Sequence, residues 1–272
     1  MINIGHYVVT WLGTSWIKAL LPLDDGYSTY VYSWARTVDD AVTQGDHYYQ
    51  PTPYWGESFV ARRLTLGLAV GQERLFKLMS RQIGAQMQRD QINVIHAHFG
   101  RAGYYALPLI KRYPVPLLTS FYGYDVSEYP ATYPKWREYY RALFNSLDYA
   151  LCLGKVMQKN VIELGCPPEK TVIHHLGVNV QAIPYVSRQW QPGTPLRILI
   201  AAAFRERKGI PYALEALGAF QHDYPIELTI IGDAPDHPDG PVEKQKILQA
   251  LETFGLQKVT RLLGSQPYQT LL

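Results

Sequence analysis

At 272 residues, the chain has room for one large domain or two of ordinary size. Its 47% hydrophobic and 18% charged residues exclude a disordered chain, and no apolar run approaches the roughly 18 residues that cross a bilayer. The net charge of +3 comes with no nucleic-acid-binding motif, so no nucleic-acid partner is expected. Cys152 and Cys166 are too few for a disulfide framework, and the first residues, Met1-Ile-Asn-Ile-Gly-His6, do not form a secretory signal. A reduced, cytoplasmic setting is the expectation.

Short β-type runs alternate with helical patterns, the signature of a parallel sheet flanked by helices. Residues 2–9 read as a strand, 10–16 as the turn after it, 17–21 as a short helix and 27–35 as a second strand. Residues 37–55 read as an irregular excursion. An amphipathic helix is expected over 72–89, with Leu75, Phe76, Met79, Ile83 and Met87 on one face and Arg74, Lys77 and Arg81 on the other. Between Arg62 and Arg112, nine Lys/Arg stand against only Glu73 and Asp90. The plain reading is a packed surface helix. The sharper one is a basic face resting on anionic lipid at the inner membrane surface.

Further strands are expected over 93–99, 115–121, 148–153 and 171–175, with helices over 102–111, 135–147 and 156–164. Gly165 and Pro167-Pro168 close the last of these helices. Residues 189–195 read as a linker, which puts the first domain at 1–190. The α/β rhythm then restarts, with strands over 197–204, 226–231 and 258–263 and helices over 210–220 and 242–254. About 80 residues remain, against roughly 150 for a nucleotide-binding α/β domain. The second domain, 191–272, is therefore expected to be incomplete.

Three constellations can carry chemistry. Ala201-Ala-Ala-Phe-Arg-Glu-Arg-Lys-Gly209 runs from a strand into a basic turn and a helix, where Arg205, Lys208, the permissive Gly209 and the helix N-terminus suit a phosphate. A solvated charged turn is the plain alternative. Thr119-Ser-Phe-Tyr-Gly-Tyr-Asp125 follows a strand, so Asp125 sits at the sheet's carboxyl edge. There it can hold sugar hydroxyls or serve as an ordinary turn residue. His96 and His98 point the same way from one strand. No third ligand is spaced to join them, so buried, hydrogen-bonded histidines are expected and no metal site. No GxGxxG follows a strand, which weighs against a dinucleotide-binding oxidoreductase.

Taken together, Ala202 to Gly209, Ile230-Ile-Gly-Asp-Ala-Pro235, Ser120 to Asp125, Val161 to Lys170 and Val172 to Asn179 resemble a family 4 glycosyltransferase. The resemblance implies an α/β, GT-B-like fold of two Rossmann-like domains with parallel sheets. It also implies retaining transfer of a sugar from a nucleotide-sugar donor to a glycan or lipid-linked acceptor, in cell-surface polysaccharide biosynthesis and without a metal or other cofactor. By the same resemblance, Arg205 and Lys208 hold the donor diphosphate, Gly13 approaches it from the first domain, and Gly232 and Asp233 lie near the nucleoside. Asp125 and Tyr122 are the candidate catalytic residues. Tyr122 stands where the family usually has His, and Ala202-Ala203 stands where it usually has Gly-Arg. The family's later pair of glutamates has no counterpart before Leu272. Two other readings stay open: a nucleotide-sugar epimerase or phosphorylase on the same scaffold, and an incomplete piece that binds only acceptor or partner.

Overall fold

The computed structural model describes residues 2–11, 26–36, 47–49, 69–177, 180, 183, 185–235 and 237–267. The chain divides into two compact units, Met1–Val178 and Asn179–Leu272. The division falls earlier than the linker read at 189–195. That stretch belongs to the second unit, because Trp190 donates to the Thr194 carbonyl, its ring meets Tyr224 edge-on, and Leu196 N–H donates to the Pro225 carbonyl.

The first unit is built on a seven-stranded, all-parallel sheet. In chain order its described elements are β1 (Ile2–Trp11), β2 (Tyr27–Arg36), β3 (His47–Tyr49), α1 (Ala69–Arg89), β4 (Val94–His98), α2 (Gly100–Arg112), β5 (Leu117–Phe121), α3 (Glu128–Thr132), α4 (Trp136–Ser146), β6 (Tyr149–Cys152), α5 (Lys155–Glu163) and β7 (Thr171–Ile173). The strand order is β3-β2-β1-β4-β5-β6-β7. The order reverses between β1 and β4, and such a reversal is where open parallel sheets bind ligands, outside the strands' carboxyl ends.

Two features depart from the expected elements. The stretch over 37–55 is not wholly irregular: β3 lies within it and pairs with β2 from Tyr30↔His47 to Tyr32↔Tyr49. The short α3 was not among the expected elements, because it carries Pro130, buried inside it. The expected short helix over 17–21 and the position Gly13 lie outside the described residues.

Small residues set how closely α2 approaches the sheet. A Cβ on Gly103 would lie 2.6 Å from Thr119 Oγ1, and one on Gly100 would lie 2.7 Å from the Phe121 ring. These glycines let α2 pack flush on β5. Aromatic rings fill the far side, with Tyr140 edge-on to Phe121 and Trp136 edge-on to Tyr139. Helix α1 buries Ile83 and Met87 against the unit and leaves Arg81 exposed, as an amphipathic surface helix should. No described helix is long and apolar enough to cross a membrane.

The second unit contains β8 (Leu196–Ala201), α6 (Ile210–Phe220), β9 (Ile226–Ile231), α7 (Gly240–Thr253) and β10 (Thr260–Leu262). Its parallel sheet has the order β10-β9-β8. Ile226, Leu228 and Ile230 line one face of β9, and Leu214, Ile247 and Leu256 close the core over them.

Candidate functional site

The expected residues fall into two groups, one in each unit. In the second unit, β8 ends in the basic turn. Phe204 is buried and anchors the turn, Arg205 is extended, and Glu206–Lys208 forms one turn of 3-10 helix. Gly209 follows at φ 67°, a left-handed conformation that a β-carbon penalises, and α6 starts immediately after it. Lys208 is exposed, while Arg205 is half-buried with its Nε lacking a hydrogen-bond partner.

The neighbouring strand β9 delivers Gly232 and Asp233 to the same edge. Gly232 has φ 145°, and a Cβ there would sit 1.8 Å from the Ala202 carbonyl oxygen. The backbones leaving β8 and β9 therefore touch. The structure thus brings Arg205, Lys208, Gly232 and Asp233 to one carboxyl edge of a parallel sheet, where phosphates bind in open α/β folds. Asp233 is not a free carboxylate. One oxygen accepts the Ala234 N–H at 2.9 Å and the other accepts Lys244 Nζ at 2.8 Å, so Lys244 holds the Asp233 carboxyl below the usual carboxylate range. Lys244, on α7, is a cation at this edge that sequence reasoning missed. Its place depends on how α7 docks, which no local motif records.

In the first unit, the loop after β5 carries Tyr122 and Asp125. Asp125 is only 1% exposed, and its carboxylate is occupied by the backbone: Oδ2 accepts the Gly100 N–H at 2.9 Å, and Oδ1 accepts those of Tyr122 at 3.0 Å and Gly123 at 3.1 Å. Burial pushes the Asp125 carboxyl above the usual range, while these amides favour its charged form. Tyr140 donates its hydroxyl to the Asp125 carbonyl at 2.7 Å. Asp125 thus organises the loop and ties it to the start of α2.

Tyr122 leads to the histidines. Its hydroxyl lies 2.6 Å from His98 Nδ1, and His98 Nε2 lies 2.9 Å from His6 Nδ1. His96 Nε2 lies 2.7 Å from Ser120 Oγ. The expectation that no third histidine joins His96 and His98 is overturned. Parallel pairing sets His6 of β1 directly beside His96 of β4, and one ligand atom from each of the three rings lies within 4.8 Å of the others. Burial, reinforced by repulsion from His96, lowers the His6 pKa to about 3; burial lowers that of His96 to about 4 and that of His98 well below its ordinary value. All three are neutral at pH 7. Phe99, immediately after β4, holds a φ of 72°, a strained value for a bulky residue, and its ring packs on Tyr122 at 4.7 Å.

Comparison with known proteins identifies the family and the fold. The sequence model of Glycosyltransferase Family 4 matches residues 25–182. WcaL of Salmonella typhimurium, named for colanic acid biosynthesis, is 28% identical over 178 residues, 64% of this chain and 42% of that protein. The amylovoran biosynthesis glycosyltransferase AmsK of Erwinia amylovora is 28% identical over 190 residues, 69% of this chain and 44% of that protein. The chain therefore spans less than half the length of these two relatives. Among solved structures, sucrose-phosphate synthase of Thermosynechococcus elongatus has a TM-score of 0.70 at 13% identity, covering 100% of this chain and 72% of that one. HepE of Anabaena, solved with UDP and glucose, has a TM-score of 0.65 at 13% identity over 98% of this chain and 70% of that one. The two parallel-sheet units share the GT-B fold of these structures, and the chain belongs to the family 4 glycosyltransferases.

Proposed function

We propose that this chain forms the acceptor-side domain and the first part of the donor-side domain of a retaining glycosyltransferase. The reaction moves a hexose-type sugar from a nucleotide sugar to a glycan or lipid-linked acceptor in polysaccharide biosynthesis. The observation that carries the reading is the shared edge of β8 and β9. There a left-handed glycine, the start of a helix and the cationic Lys208 converge beside a glycine held against the backbone of the neighbouring strand. Lys208, with Arg205 beside it, would neutralise the diphosphate as it departs, so that charge stabilisation and positioning drive the transfer. Asp125 would act as a positioning residue that holds Tyr122 at the sheet edge of the first unit. The names of WcaL and AmsK support polysaccharide biosynthesis as the setting.

Titration calorimetry of the chain with UDP-glucose tests the reading. Lys208→Ala is expected to weaken binding about tenfold or more, since a charge-assisted contact to phosphate contributes roughly 1.5–3 kcal/mol. Equal affinity of the variant and the parent chain would remove Lys208 from the donor site.

A further inference from the structure

The histidine cluster belongs to the first unit, apart from the residues proposed for the donor edge of β8 and β9, and its construction differs from that of ordinary core histidines. Its three rings come from two strands, β1 and β4, at the place where the sheet's strand order reverses. Ring centroids lie 4.3 Å apart for His96 and His98, 5.2 Å for His6 and His98, and 5.3 Å for His6 and His96. Core histidines persist when every ring nitrogen finds a partner. That condition fails here, because His6 is 3% exposed and its Nε2 is buried with no hydrogen-bond partner.

We propose that His6, His96 and His98 form a binding site for a zinc ion. Zinc takes imidazole nitrogens at about 2.0–2.1 Å, which sets neighbouring ligand atoms roughly 3.3 Å apart in tetrahedral geometry. His6 Nδ1 and His98 Nε2 lie 2.9 Å apart and need only a small separation to admit a metal between them, the bridging proton passing to the outer nitrogen of its own ring, His6 Nε2 or His98 Nδ1. His96 commits Nε2 to Ser120 and has Nδ1 left to offer.

The surroundings are those of a metal site's outer shell. The Tyr122 hydroxyl on His98 Nδ1 and the Ser120 hydroxyl on His96 Nε2 fix ring orientation and tautomer, as hydrogen-bond partners of metal-bound histidines do. Three protein nitrogens leave a fourth position on a tetrahedral ion for water or an acceptor hydroxyl.

The full chain is stripped with a chelator, supplied with zinc chloride alone, freed of unbound metal by gel filtration, and its zinc counted. One zinc per chain is expected, with a rise in Tm, and cobalt in place of zinc should give the visible absorption of a four-coordinate ion. His98→Gln and His96→Asn should each lower zinc affinity at least about tenfold, and Tyr122→Phe should lower it by about tenfold through the ring it orients. His175→Gln, an exposed histidine outside the cluster, should leave affinity unchanged. Substoichiometric zinc on the parent chain overturns the proposal even if the variants fail to fold. So does full zinc retention by folded His98→Gln or His96→Asn protein.

Discussion

Replacing Gly232 with alanine is expected to destabilise the second unit by about 3 kcal/mol or more. The new Cβ would lie 1.8 Å from the Ala202 carbonyl oxygen, and backbone atoms on both sides leave no flexible side chain to move away. Its φ of 145° adds a conformational cost for any residue with a β-carbon. To admit alanine, the chain exits of β8 and β9 must separate, which pulls apart the pairing from Ala202 N–H to the Ile231 carbonyl. Gly264 is the matched control. It also has positive φ, at 68°, but a Cβ there meets nothing within 4 Å, so Gly264→Ala should cost only about 1 kcal/mol. Urea denaturation of the two variants checks the contrast. Equal midpoints would mean that backbone proximity at Gly232 does not matter.

The second large effect is expected at Asp125. Asparagine has nearly the same shape but only one accepting oxygen. If that oxygen keeps the Tyr122 and Gly123 amides, the new NH2 group faces the Gly100 N–H, donor against donor in a buried place. Leaving that amide unsatisfied, with one charge-assisted bond lost, should cost about 2–4 kcal/mol. The first unit's denaturation midpoint reads the loss, and the ring environment of Tyr122 should change with it. An asparagine variant as stable as the parent would show that the carboxylate is not organising this loop.

Much of the scaffold was legible because each element carried its own local signal. Ile226 to Ile231 is rich in β-branched residues, with apolar Ile226, Leu228 and Ile230 alternating with Glu227 and Thr229, and the observed β9 has those bounds. Trp136, Tyr140, Leu143 and Phe144 repeat at helical spacing and are buried on one face of α4. The short strand β3 carried too little signal, since His47-Tyr-Tyr49 becomes a strand only by pairing with β2. Helix α3 was hidden by Pro130, which usually argues against a helix interior.

The sites divide the same way. Two of the three bonds to the Asp125 carboxylate are local, reaching back to Tyr122 and Gly123, and a turn role was readable from that spacing. The third bond, from Gly100, depends on how β4 and β5 lie together. Likewise, the His96–His98 pair could be read from strand alternation. His6 could not, because strand register is a property of the folded sheet and leaves no trace in spacing along the chain. Lys244 was missed for a similar reason.

The position of β1 has a kinetic consequence. It lies inside the sheet, between β2 and β4, although it is the first strand in the chain, and the His6–His98 contact closes a separation of 92 residues. Pairings that distant form slowly, because loop closure costs entropy before the contact returns any energy. During synthesis β1 must wait, with one edge unpaired, until β4 has emerged. The Ile95 N–H faces β5 and donates to the Pro116 carbonyl, so the alternate amide of His96 faces β1; in refolding experiments it should therefore gain hydrogen-exchange protection later than the amides within α4, whose contacts are local.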